Sequence, residues 1–489
     1  MGYTLGVVTP PASDPSEPRA PAVSPPLDPP GAWAPARRLV RRARAPVERF
    51  LAIEASSGIL LLGVACVALL WANSPWAELY ERLWHARFGL SLGPWAFERD
   101  LHFWINDALM TVFFFVAGLE IRREMHQGEL SQLKRAALPI VAAAGGMIAP
   151  ALIYAGFNPG APSHVGWGIP MATDIAFAVG ALALLGKRVP PALRILLLAL
   201  AVIDDVGAIL VIAIFYSSEV QVVGFGVVAL GLLLLLAWQL LGLRSPWAYV
   251  VPGAVIWTGM YVGGIHPTLT GVLVGLLTPV RAWFGADHFF ARSASGIERF
   301  QSASLRDERQ LLHELDETRL ARREAVSPLD GLQHALHRWV AYGIMPLFAL
   351  ANAGVPLGHA ELDGVGLRVF FGVSLGLVVG KPLGIVAISW LTTRLGVTAL
   401  PTGIGYRQLW LVGIVAGIGF TMALFVAQLA FPPGAQPSEA LLETSKLAII
   451  CGSVVAALLA VAAGRFLLAP RLAAGAARSE AEAEASTTS

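Results

Sequence analysis

The stretch Ile203-Asp204-Asp205-Val206-Gly207 lies in the middle of Leu193–Tyr216, a run otherwise almost wholly apolar. The run is long enough to span a bilayer as a helix. A charged group at the centre of such a helix costs about 2.5–3.5 kcal/mol on insertion scales. Two adjacent carboxylates at that depth therefore mark a membrane protein whose charges have a task. Intramembrane acids face a bundle interior or a wet cavity and handle ions or protons.

The composition agrees. The chain has 489 residues, 56% hydrophobic and only 14% charged, with a mean hydropathy of +0.64. Soluble domains carry nearer 25% charged residues. A net charge of +2 gives nucleic acid no natural purchase. Cys66 and Cys451 both fall in apolar runs and read as small buried hydrophobes, without a disulfide framework or a CxxC metal pattern. Met1–Pro11 lacks a basic region followed by an apolar core, so no signal peptide is expected.

Hydropathy divides the chain into 1–49, a disordered N-terminal tail with a basic cluster (Arg37, Arg38, Arg41, Arg42, Arg44, Arg49), then 50–283 with spans one to eight. A charged cytoplasmic insert follows at 284–330, spans nine to twelve at 331–468, and a disordered tail at 469–489. The twelve spans fall near 50–72, 101–121, 136–157, 167–186, 193–216, 220–242, 247–264, 268–283, 334–356, 367–393, 406–431 and 441–468. Arg122, Arg123, Lys134, Arg135, Lys187, Arg188, Arg244, Arg394 and Arg407 lie in alternate loops, which puts both termini in the cytoplasm. Phe88–Trp95 reads as part of an extracytoplasmic hairpin, and Leu305–Ala325 as an amphipathic helix of the insert.

Two spans are unlike the rest. Gly166-Trp167-Gly168-Ile169-Pro170-Met171-Ala172-Thr173-Asp174 interrupts the fourth, and Gly413–Thr421 crowds glycine into the eleventh. Broken backbone at membrane depth is tolerated only against protein or a wet cavity. The breaks take matching places in segments three to five and ten to twelve, a pointer to an inverted-repeat transporter with its site at the midplane. Close helix packing is the plainer reading of the second glycine group.

The ionisable residues at depth are Asp174, Asp204, Asp205 and Lys381. On a helix Asp204 and Asp205 diverge by about 100°, so one can face a cation path and the other a partner. Lys381, read as the only lysine deep in a span, is the natural counter-ion. Asp174 can offset the positive N-terminal ends of broken helices and Lys381 the negative C-terminal ends; Asp174 also reads as a plain helix N-cap after Thr173. Asp107 reads as a helix-end group. Buried carboxylates hold protons more readily, and a dehydrated cation needs the same oxygens. Cation and proton binding then exclude each other, and exposure to one side at a time yields exchange. Two carboxylates allow more than one proton per cation, making exchange electrogenic.

Several stretches together resemble the NhaA-type sodium/proton antiporters: Gly118–Glu124, Ala172–Ala178, Ile203–Asp205, His266–Thr268, Asn352–Val355, Gly380–Gly384 and Gly417–Met422. They follow one another over roughly 50–283 and 330–468. That family is itself a standing example of inverted repeats, so pattern and resemblance are not independent. The resemblance implies an all-α polytopic protein with discontinuous helices four and eleven. It makes Asp205 the main cation ligand, Asp204 the partner of Lys381, and places Thr173 and Asp174 at the crossing of the broken helices. It implies a pH-sensing cytoplasmic funnel lined by Glu120, Arg123, Glu124, His334 and His337, with Gln333 standing where the family often has glutamate. It implies a homodimer formed through the hairpin in a bacterial inner membrane, and exchange of cytoplasmic Na+ or Li+ for external H+ with no cofactor, serving sodium and pH homeostasis.

Two other classes also place acids inside a membrane. An intramembrane aspartyl protease needs Tyr-Asp and Gly-x-Gly-Asp on separate helices, and neither occurs. An organic-anion symporter of the same fold has less use for a lysine paired with two aspartates.

Overall fold

A computed structural model describes residues 56–468 except 93–94, 218–220, 243–245, 283, 286–288, 293, 296–307, 357, 359–363 and 433–437. The N-terminal tail with its basic cluster, the C-terminal tail and much of the insert lie outside the described residues. The first helices are α1 (Ser56–Ala72) and α2 (Ala77–Trp84), bent by 113° to each other. Strands β1 (Arg87–Leu92) and β2 (Trp95–Asp100) then pair antiparallel, Arg87 opposite Asp100 and Leu92 opposite Trp95, as the alternating run suggested. Arg99 ties this hairpin to the bundle: its Nε donates to the Tyr261 hydroxyl at 3.1 Å.

The chain next forms α3 (Leu101–Gln127) and α4 (Leu133–Phe157). A 3-10 turn, Ser163–Met171, leads by an extended link into α5 (Ile175–Leu184). Then come α6 (Pro191–Phe215), α7 (Val222–Leu240), α8 (Val250–Val262) and α9 (Leu269–Leu276). The insert contributes α10 (Glu308–Ala325). The second part holds α11 (Pro328–Trp339), α12 (Met345–Asn352), α13 (Gly364–Arg394), α14 (Tyr406–Ala416), α15 (Phe420–Ala430) and α16 (Ser438–Leu467).

Among the described residues six helices are long and apolar enough to cross a membrane, nine if each bent pair is one span. This is a helical, multi-pass membrane protein. α9 is shorter than the expected 268–283: the helix stops at Leu276, with Pro279 close behind. α6 and α13 are the most enclosed, whereas α7 turns Leu230, Leu233 and Leu240 outward. Cys66 and Cys451 also face outward, contrary to their reading as buried residues; the helices they sit on expose apolar surface, as a lipid-facing wall requires.

Proline and glycine set the geometry around the site. Pro382 has no N–H to offer the carbonyl four residues back, and the preceding turn, Gly376–Gly380, is a π-helical turn ending at Lys381. α13 lies backbone to backbone on α4: a Cβ on Gly384 would come 2.0 Å from the Gly145 carbonyl oxygen. Lys381 is thereby held in the core, wholly buried.

Candidate functional site

The two interrupted segments cross. The 3-10 turn and α5 are bent by 45°, α14 and α15 by 50°. The extended links touch directly, Asp174 N–H donating to the Ile418 carbonyl at 2.8 Å. Glycine is required here, since a Cβ on Gly419 would meet the Ala172 carbonyl oxygen at 2.9 Å. Gly413 also packs on Pro382, so the plainer packing reading describes part of the same group.

Each helix end at the crossing leaves backbone groups unpaired. Asp174 takes up the N-terminal ends. Its Oδ1 accepts from Phe177 N–H at 3.1 Å, capping α5. Its Oδ2 accepts from Thr421 N–H at 3.1 Å and from the Thr421 hydroxyl, at the start of α15. Ser453 of α16 accepts from Phe420 N–H at 3.1 Å. Asp174 is thus an N-cap for two helices at once, and both of its oxygens are engaged. The C-terminal end of α14 is met by Thr173, whose hydroxyl can donate to Ala416 O at 2.9 Å or to Asp204 Oδ2 at 2.5 Å. Lys381 Nζ donates to Thr173 Oγ1 and to Asp204 Oδ2. It reaches the C-terminal end only through that hydroxyl.

α6 carries the acid pair near its midpoint. Asp204 and Lys381 form an ion pair with both side chains about wholly enclosed, 1% exposed each. Asp204 Oδ1 and Asp205 Oδ1 are buried without a hydrogen-bond partner. Asp204 is bound to Lys381 and Thr173, and among the described residues Asp205 shares no hydrogen bond with either. Chemically the arrangement offers two carboxyl oxygens not committed to donors, next to a cation that neutralises one carboxylate.

The residues read as a funnel are gathered only in part. Arg123 Nη1 meets Gln333 Oε1 at 3.4 Å, and Arg123 Nε lies 3.9 Å from Asp330 Oδ1. Glu124 Oε2 accepts from Glu129 N–H at 3.1 Å. Glu120 is half-buried on the same end of α3. His334 and His337 are exposed on α11, and no hydrogen bond ties them to this group among the described residues. Asp330 was not singled out from sequence. It is anchored by Ser327, whose hydroxyl donates to Asp330 Oδ2 at 2.7 Å, and it supplies a carboxylate one turn from the position where Gln333 lacks one.

Two other features escape the sequence reading, and a third differs from it. Thr421 gives Asp174 its hydroxyl donor; a lone polar residue just past the glycine break was the available signal. Lys446 is a second buried lysine, 7% exposed and paired with Glu443 at 2.7 Å; its place near the start of α16 had hidden it among residues expected at a span's end. Asp107 lies within α3 in a π-helical turn, Trp104–Leu109, not at a helix end; the Thr111 hydroxyl donates to its carbonyl at 2.5 Å.

Charge and broken backbone enclosed at the centre of an apolar bundle define a membrane carrier. A family model described as Na+/H+ antiporter 1 matches residues 48–463, and the chain belongs to that family. It is 58% identical over 462 residues to a protein of Sorangium cellulosum named Na(+)/H(+) antiporter NhaA 2, covering 94% of this chain and 98% of the relative. A Myxococcus xanthus protein of the same name is 54% identical, covering 94% and 97%. A Bordetella petrii protein named Na(+)/H(+) antiporter NhaA is 48% identical, covering 88% and 92%. Relatives so named are transporters and not enzymes.

Proposed function

We propose that this protein exchanges cytoplasmic sodium, or lithium, for external protons by alternating access, and does so electrogenically. One observation supports this most: Lys381 is committed to Asp204, which leaves an oxygen of Asp205 free of donors beside the crossing. In this reading Asp205 is the principal cation ligand and Asp204 contributes its uncommitted oxygen. Protonation and cation binding compete for those oxygens. Asp174 and Thr173 hold the crossing open electrostatically while the cation passes. Lys381 is buried and already serves Asp204 and Thr173, which disfavours a role in holding an organic anion.

The wider reading has twelve spans, with segments three to five and ten to twelve as inverted repeats, spans one to eight over 50–283 and nine to twelve over 331–468. The tails 1–49 and 469–489 and the insert 284–330 lie on the cytoplasmic side of a bacterial inner membrane. A homodimer forms through the β1–β2 hairpin. Glu120, Arg123, Glu124, His334 and His337 set the pH at which exchange switches on, with Asp330 standing in for the acid that Gln333 replaces.

The test is a vesicle assay across pH comparing sodium, lithium and potassium. Inverted vesicles should lose a preformed pH gradient on addition of sodium or lithium and keep it with potassium. Equal dissipation by all three, or by none, defeats the proposal.

A further inference from the structure

One side of the crossing is sealed by two layers that the ion site does not use. α15 leaves the crossing at Thr421, carries Phe425 one turn on, and brings Gln428 to about 10 Å from Thr421 at 1.5 Å per residue. Phe425 packs against Phe114 of α3 and Phe348 of α12, with ring centroids 5.3 and 6.3 Å apart. Beyond the rings lies a closed set of amides. Asn106 of α3 donates to Gln428 Oε1 at 2.6 Å, Asn352 of α12 donates to Asn106 Oδ1 at 2.8 Å, and Gln428 donates to Asn352 Oδ1. His102 Nε2 lies 2.9 Å from the same Asn352 oxygen. Asn106, Asn352 and Gln428 are all buried. This is the side of the hairpin, since β2 ends at Asp100 and runs directly into the start of α3, which carries His102 and Asn106.

Carboxamides in an apolar wall are stable only while they are paired. Here the pairs join three elements. α15 is half of a broken segment; α3 and α12 contribute no bond to the crossing. Withdrawal of α15 would break every bond to Gln428 together and turn those groups toward water, which can satisfy them in place of the lost partners. The closed, dry arrangement is the one in this structure, and the same amides would be satisfied by water in an open one, as a switching element needs.

We infer that His102, Asn106, Asn352 and Gln428 form the hairpin-side gate of the ion path, closed in this structure, with Phe114, Phe348 and Phe425 as the plug beneath it. Once open, the amides line the route by which protons reach Asp205 and sodium leaves. This rests on the alternating-access reading above.

The full-length chain in membranes tests it, with Cys66→Ala and Cys451→Ala as background. In Asn106→Cys/Gln428→Cys, oxidation should form a disulfide that lowers sodium-driven proton exchange at least tenfold, and reductant should restore it. A pair that does not cross-link, or that exchanges equally when oxidised and reduced, overturns the gate. A second readout is independent of transport. Phe425→Cys should react slowly with a membrane-impermeant maleimide from the hairpin side, and several-fold faster when Gln428→Ala is added. An unchanged rate overturns the gate even if the double-cysteine protein is inactive when reduced. Absence of exchange in the background protein would instead count against the antiport reading, and the labelling would still report on the gate.

Discussion

Lys381–Asp204 and Arg123–Asp330 are both lysine- or arginine-to-aspartate pairs, yet they do opposite things. The first is sealed in the bundle, with both side chains 1% exposed. The second spans 3.9 Å at the end of α3, with side chains 51% and 39% exposed. In water a charge pair gains little, because solvent screens it and long side chains lose freedom. In the bundle neither partner has solvent to fall back on, so each depends on the other. The buried pair commits Asp204 to Lys381, and in the proposed exchange that leaves Asp205 to meet the cation. The exposed group is screened by water, so altering one of its charges should cost the fold little.

Breaking the buried pair should have the largest effect. Lys381→Ala strands Asp204 and should destabilise the protein by about 3–5 kcal/mol, read as a large drop in thermal midpoint in detergent. Combining it with Asp204→Asn should recover much of that loss. If the double variant melts no higher than the single one, the pair is not what sets the cost. Thr421→Val is next. It removes a hydroxyl donor from buried Asp174 while keeping shape, at a cost of about 1–3 kcal/mol. A midpoint equal to wild type would mean the backbone caps on Asp174 suffice.

The exposed group should behave in the reverse manner. Asp330→Ala should change stability by less than about 1 kcal/mol. Gln333→Glu, which gives Arg123 a second acid, should shift the pH of half-maximal exchange with little change in melting. An identical pH profile in both variants removes this cluster as the pH-responsive element. His266, in the link between α8 and α9, is a smaller case. Burial lowers its pKa from 6.5, opposed by a hydrogen bond to the Tyr216 backbone. The folded state keeps it neutral, so its contribution is present above about pH 6.5 and is lost as pH falls. His266→Gln should therefore lose less thermal midpoint than wild type between about pH 7.5 and about pH 5.5; parallel losses would contradict this.

Much of this was readable in the chain. Two adjacent aspartates in an apolar run could only be placed with a partner, and Lys381 stood out in Gly380–Gly384. Gly and Pro located both breaks because they remove or weaken helical bonds whatever surrounds them. The amide gate was not readable. Asn106, Asn352 and Gln428 come from distant parts of the chain, and each alone looks like an ordinary polar residue near a span's end. Asp330 was hidden for a related reason: only the packing of α11 on α3 brings it toward Arg123. Lys446 shows the limit of judging depth from hydropathy, since neighbouring helices bury it close to where its span begins.

In the proposed exchange, sodium and protons compete for Asp205. The direct measurement is proton release on adding sodium to the purified protein in a weakly buffered detergent solution near neutral pH. Wild type should release protons, and Asp205→Asn, which keeps the side chain's shape while removing its charge, should release essentially none. Equal release by the two proteins would place the competition elsewhere and contradict the account.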